Sequence, residues 1–135
     1  MQIAILGAGM VGRAMAIDLA SKYKVTSFDV SGKALELLTQ KNNSIKTIKA
    51  DLSDYSNYDS MLKGFDFVIS AVPGFMGYGT LEAIINAKKN VVDISFFPEN
   101  ALELDGLAKE NHVTAIVDCG VAPGMSNLIL GYHNE

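Results

Sequence analysis

Short apolar runs of four or five residues alternate along the whole chain with longer stretches in which apolar positions recur at helical spacing. The runs predict six strands, at residues 2–6, 24–28, 45–49, 67–70, 90–94 and 114–118. The stretches between them predict helices near 10–22, 31–41, 56–63, 78–88 and 99–111. Strand and helix taking turns in this way is the sequence form of repeated strand-helix-strand units. It predicts an α/β domain with a doubly wound parallel sheet of about six strands, covered on both faces as a three-layer αβα sandwich. Ser31 stands where it can cap the second helix, Ser56 and Asp59 have the spacing of a capping box, and Glu99 follows Pro98 at an expected first turn. The chain has no internal repeat and no low-complexity tract. Apart from the glycine-rich segment that directly follows the first strand, Gly74 to Gly79 reads as its only glycine-dense loop.

Composition narrows the class. With 135 residues, 49% of them hydrophobic, the chain suits one soluble domain with a sizeable core. A net charge of −4 without a dense Lys/Arg run argues against a nucleic-acid partner. Cys119 is the single cysteine, so no internal disulfide forms and a reducing cytoplasm is the simplest expected compartment. The first twenty residues hold a glycine turn followed by Arg13 and Asp18 rather than a charged leader and apolar stretch, and no run reaches membrane-spanning length. No membrane partner is expected.

The first strand leads directly into Gly7-Ala8-Gly9-Met10-Val11-Gly12. In a strand-to-helix turn of this form, Gly7 supplies the backbone angles, Gly9 leaves room for a pyrophosphate, and Gly12 lets helix and strand pack closely. The amides at the helix start then face the phosphates. Ala16 and Leu19 continue one helical face, Val25 begins the second strand, and Asp29 closes it seventeen residues after Gly12. That context turns a common glycine pattern into an expected dinucleotide site on a Rossmann-type sheet.

In such a sheet the ligand lies beyond the carboxyl ends of the strands, which directs attention to the residues there. Asp29 ends strand two, where a carboxylate accepts hydrogen bonds from ribose hydroxyls and repels a 2′-phosphate. NAD is therefore expected over NADP, although Arg13 and Lys33 are close enough in sequence to favour a phosphate, and a helix-capping aspartate is the plain alternative. Asp51 and Leu52 end strand three, within reach of an adenine edge and face, and an ordinary loop aspartate explains Asp51 nearly as well. Ala71, Val72 and Pro73 end strand four with small residues suited to close approach of the ribose or nicotinamide, or to a tight turn.

Asp93-Ile94-Ser95-Phe96-Phe97-Pro98 ends strand five and suggests contact with a ligand or a second domain, against a buried and capped aspartate. Tyr55, Tyr58 and the methionines read as packing residues, and Cys119 as a small buried apolar group. His112 and His133 lack partners at metal-ligand spacing, so no metal site is expected. No complete acid/base set is visible, and no catalytic residue is assigned to this chain.

A second stretch, Asp118-Cys119-Gly120-Val121-Ala122-Pro123-Gly124-Met125-Ser126-Asn127, joins the glycine turn in a pattern that resembles the saccharopine dehydrogenase-like family, most closely its lysine 6-dehydrogenase branch. The resemblance covers essentially the whole chain. It implies that residues 1–122 form the cofactor domain and that 123–135, opening at Pro123, begin a helix leading to a separate substrate-binding and dimerisation domain. It also implies that Gly7, Gly9, Met10, Val11 and Gly12 line the pyrophosphate, Asp29 and Val30 the adenosine ribose, Asp51 and Leu52 the adenine, and Ala71, Val72 and Pro73 the nicotinamide side. The implied chemistry is hydride transfer between nicotinamide and an amine-bearing carbon of an amino acid, in a protein that forms homodimers through the other domain.

Two departures bear on the substrate. Saccharopine reductases tend to read Asp-Pro-Gly where this chain has Ala122-Pro123-Gly124, and Asp-x-Ser-Tyr where it has Asp93-Ile94-Ser95-Phe96. A carboxylate and a phenol are missing, which points to an amino acid other than saccharopine. Two alternatives share the cofactor residues. One is a stand-alone NAD-sensing module of the potassium-transport type, which has no evident use for Gly120-Val121-Ala122-Pro123-Gly124. The other is a polyamine-pathway reductase of the same family.

Overall fold

A computed structural model describes residues 1–134 apart from Pro123. Six parallel strands are arranged in the order β3-β2-β1-β4-β5-β6, where β1 is Gln2–Leu6, β2 Lys24–Asp29, β3 Lys46–Lys49, β4 Phe67–Ser70, β5 Asn90–Asp93 and β6 Ala115–Ile116. The helices are α1 (Met10–Leu19), α2 (Gly32–Lys41), α3 (Tyr58–Leu62), α4 (Gly74–Asn86), α5 (Asp105–Glu110) and α6 (Met125–His133). The expected doubly wound α/β sandwich is the observed fold.

Side-chain alternation along β1 explains the three layers. Ile3 and Ile5 face one side and join Ala16 of α1 and Leu38 of α2 in one buried cluster. Ala4 and Leu6 face the other and join Tyr58 and Leu62 of α3, Leu81 and Ile84 of α4, and Leu104 before α5. A period of two sends neighbouring residues to opposite faces, so one short strand anchors both cores. All four of these β1 residues are buried. At about 1.5–3 kcal/mol for each large aliphatic side chain removed from water, this strand is the spine of the molecule.

Helix boundaries follow local chemistry. Ser31 caps α2 as expected, its Oγ accepting from the Ala34 N–H at 3.2 Å. The Ser56–Asp59 capping box does not form: Ser56 donates to Asp54 instead, and residues Tyr55–Asn57 make a 3-10 turn before α3. Ahead of α5 the chain also tightens, with a 3-10 turn at Ala101–Leu104 capped by Asn100 rather than opened by Glu99.

The largest correction concerns the fourth helix, which begins at Gly74 and not near residue 78. The segment Gly74 to Gly79 is its first turns, not a loop. Its glycines serve close packing. A Cβ on Gly74 would run into the Phe96 carbonyl, one on Gly77 into Ser95 and Phe97, and one on Gly79 would stand 2.8 Å from the Tyr55 hydroxyl. β6 is shorter than expected, ending at Ile116 ahead of Asp118, which has a positive φ of 57°. The expected helix start at Pro123 lies outside the described residues; the helix itself runs from Met125, and none of its residues is buried. Cys119, expected to be buried, is exposed. Among the described residues no helix is long and apolar enough to cross a membrane.

Candidate functional site

Strand order reverses beside β1: β2 and β3 lie on one side, β4 to β6 on the other. The chains leaving β1 and β4 depart to opposite faces there and open a crevice at the carboxyl edge. The glycine turn sits at that point. Gly7 has φ 106° and donates its N–H to the Phe28 carbonyl at 2.8 Å, while a Cβ on it would stand 2.6 Å from the Ala71 carbonyl oxygen. A Cβ on Gly12 would collide with the Gly7 carbonyl. Gly9 faces open space, with nothing within 4 Å of where its Cβ would be. The three glycines thus have three separate causes: backbone angle at Gly7, contact of helix and turn at Gly12, and access from outside at Gly9.

Gly9 is the N-cap residue of α1, and no side chain caps that helix. The first-turn amides, which a helix cannot pair internally, are left facing the crevice. Asp29 braces the turn from the end of β2. Its Oδ2 accepts from the Ala8 N–H at 2.6 Å and its Oδ1 from the Ser31 N–H at 2.7 Å.

A cleft of about 620 Å³ runs over this edge. Gly7, Gly9, Met10, Val11 and Gly12 form its floor, Asp29 and Val30 one wall, Asp51 and Leu52 its end on the β3 side, and Ala71, Val72 and Pro73 the opposite wall. All twelve candidate residues, drawn from the ends of four strands, therefore line one cavity. Ser53, Phe75 and Met76 line it too. Sequence reasoning passed over these three because Ser53 looked like loop and the first turn of α4 was expected to be one. Phe75, 87% exposed, and Met10, 83% exposed, both add apolar surface to this cleft.

The adenine-side residues have their own supports. Asp51 Oδ1 accepts from the Ser53 N–H at 2.9 Å and from its hydroxyl at 2.6 Å, and this hydroxyl holds the carboxyl below its usual range. Leu52 is buried, and its carbonyl accepts from the Tyr58 hydroxyl at 2.8 Å. Burial pushes that phenol up to about 12, so it stays a donor throughout the neutral range.

The strand-five segment divides. Asp93 is fully buried, with both carboxylate oxygens taking the Ser95 hydroxyl at 2.6 and 2.8 Å, and does not line the cleft. Phe97 stacks edge-on against Tyr78 at 5.9 Å, whereas Phe96 is 72% exposed. A separate cavity of about 730 Å³ lies between the end of β6 and α6, lined by Asp118, Cys119, Met125 and Leu128 among others.

The cleft thus joins the uncapped start of α1 to the ends of four strands. Residues 3–116 match the family described as the saccharopine dehydrogenase NADP binding domain. The chain belongs to that family. A saccharopine dehydrogenase (NADP⁺, L-glutamate-forming) of Pyricularia oryzae is 28% identical over 130 residues, which are 93% of this chain and 28% of that protein. The apo saccharopine dehydrogenase (L-Glu forming) of Saccharomyces cerevisiae superposes with a TM-score of 0.83 at 26% identity, over 96% of this chain and 29% of that one. The chain thus spans less than a third of the length of these relatives. A scyllo-inositol dehydrogenase of Lactobacillus casei, solved with NAD(H) and scyllo-inositol, shares the fold at a TM-score of 0.69 and 19% identity, covering 87% of this chain and 35% of that one.

Proposed function

We propose that the cleft holds a nicotinamide dinucleotide, NAD in preference to NADP, for an oxidoreductase acting on the CH–NH group of an amino acid. One observation carries the reading: twelve residues from four strand ends line a single cleft whose floor is the open Gly9 at the uncapped start of α1. The cleft falls within the roughly 300–1,000 Å³ usual for ligand sites. Nothing occupies the approach to Gly9, and the amides of the first α1 turn supply donors for phosphate oxygens.

In this reading Met10, Val11 and Gly12 bind the pyrophosphate through backbone N–H groups. Asp29 uses two of its roughly four lone-pair sites on Ala8 and Ser31 and keeps two for ribose hydroxyls, which favours the unphosphorylated ribose. Val30 flanks that ribose. Leu52, held by Tyr58, offers an apolar face to the adenine beside Asp51, and Ala71, Val72 and Pro73 admit the nicotinamide end. When bound, the nicotinamide supplies hydride-transfer chemistry. The substrate loses a hydride from carbon and a proton from nitrogen, and water hydrolyses the resulting imine. A separate domain, reached beyond the helix Met125–His133, binds the amino acid, supplies the acid/base groups and forms the homodimer.

Ala122 in place of an aspartate supports a lysine-type substrate over saccharopine. The family match and the two saccharopine dehydrogenases favour an enzyme over an NAD sensor. The exposed lone Cys119 is at home in a reducing cytoplasm.

Calorimetric titration of the 135-residue chain with NADH and with NADPH tests the proposal. NADH is expected to bind at least about tenfold more tightly, as one hydrogen bond from the 2′-hydroxyl to a charged group and repulsion of a 2′-phosphate allow. Failure of both nucleotides to bind at millimolar concentration overturns the cofactor assignment; tighter NADPH binding overturns the preference alone.

A further inference from the structure

We infer that Asp29 is a positioning residue for the phosphate-binding turn, setting the turn's affinity for anions through Ala8 as well as touching ribose. The inference rests on the cofactor reading for its ligand but on the unliganded geometry for its cause. Backbone groups grip the turn: the Gly7 N–H donates to the Phe28 carbonyl, the Gly9 carbonyl accepts from the Arg13 N–H, and close packing sets Gly7 against the Ala71 carbonyl and Gly12 against the Gly7 carbonyl. A side chain joins them, the Asp29 carboxylate, which reaches back 21 residues to accept from the Ala8 N–H at 2.6 Å.

Ala8 is buried and its bond to the half-buried Asp29 is part-buried, so water replaces this partner less readily than it replaces an exposed one. Removing the carboxylate leaves a buried donor unpaired, and the turn must either carry that cost or shift to find water. A shift at Ala8 carries Gly9 and the first amides of α1 with it. The partner on the other oxygen differs: the Ser31 N–H is in an exposed bond that solvent replaces. The two bonds of Asp29 are therefore unequal, and the one that matters for the turn is the one to Ala8.

This role and pure ribose binding predict opposite signs for a ligand without a ribose. A carboxylate near a polyanion repels it, so deleting the charge alone strengthens anion binding. Deleting the brace weakens it. Asp29→Ala removes charge and brace together, whereas Asp29→Asn removes the charge and retains an oxygen able to accept from Ala8.

The probes are inorganic pyrophosphate and NADPH, titrated into the 135-residue chain and the two variants, together with hydrogen exchange of the Ala8 amide in each unliganded protein. The expected result is about tenfold or greater loss of pyrophosphate in the Ala variant, with a smaller loss of NADPH, whose 2′-phosphate also escapes repulsion by the carboxylate. The Asn variant is expected to stay closer to the native chain, and Ala8 exchange to quicken only in Ala. Pyrophosphate binding the Ala variant as tightly as the native chain, or more tightly, overturns the inference while leaving the cofactor assignment intact. An Ala8 amide whose exchange is unchanged in the Ala variant overturns it as well, even where no nucleotide binds. Should the Ala variant fail to fold, the Asn variant decides: pyrophosphate affinity that falls only where Ala8 exchange quickens supports the inference, and affinity that falls with exchange unchanged, or holds with exchange quickened, overturns it.

Discussion

Asp93 shows how a single residue at a strand end is diverted from a ligand to the interior. It follows two valines in β5, and the register of the sheet sets it beside Ser70 of β4, a position without solvent. Burial raises its carboxyl above the usual 3.8, and the Ser95 hydroxyl offsets only part of that. The sign for stability follows. Between pH 3.8 and the raised folded value, the folded protein binds more protons than the unfolded chain, so stability falls as pH rises through that window. Below it both states are protonated, stability from this group is fully present and its pH dependence ends. Asp93→Asn, which keeps an acceptor for Ser95, removes this dependence. Thermal melts of both proteins from about pH 3 to pH 7 should show the variant gaining on the native chain as pH rises. A gap that is constant, or that moves the other way, would mean that Asp93 is not desolvated.

Glycine has opposite meanings in different elements, and α4 shows what a pattern of hydrophobic and polar positions leaves out. Strand existence, helix existence, the glycine turn and the Asp29 spacing were legible because each leaves a local mark: alternation, helical spacing, or a residue type demanded by a backbone angle. The start of α4 leaves none, since Gly74, Gly77 and Gly79 are explained only by Phe96, Ser95, Phe97 and Tyr55, distant in sequence and adjacent in space. For the same reason Phe75 and Met76 were missed as cleft residues while all twelve expected ones were found together. The contrast with α5 is testable. Gly106 is exposed within that helix with nothing within 4 Å of a Cβ. Gly106→Ala should stabilise by about 0.5–1 kcal/mol through helix propensity. Gly74→Ala should destabilise by about 1–3 kcal/mol by forcing α4 off the Phe96 carbonyl. Urea unfolding of both variants checks the pair, and equal effects would refute the distinction.

At the scale of the molecule, the five helices α1 to α5 pack on the two faces of the sheet, and the sixth does not. Leu128, Leu130 and Tyr132 are 76%, 66% and 78% exposed, and Ile129 is half exposed. Leu128 and Tyr132 share one side of this helix and Leu130 lies on another, so α6 leaves apolar surface to water on more than one side, which favours association. The core, by contrast, is complete without it, since both buried clusters draw only on residues before β6 ends, save partly buried Val117. Stability and association should therefore separate. A chain ending at Gly124 should unfold within about 0.5 kcal/mol of the 135-residue chain, because no buried side chain is lost. The longer chain should self-associate in sedimentation velocity at concentrations where the shorter one stays monomeric. Loss of more than about 2 kcal/mol on shortening would show that α6 belongs to the core after all. Equal sedimentation of the two would show that its apolar surface does not drive association of copies of this chain. The proposal of a separate domain would then rest on that surface being covered by further polypeptide of the same protein.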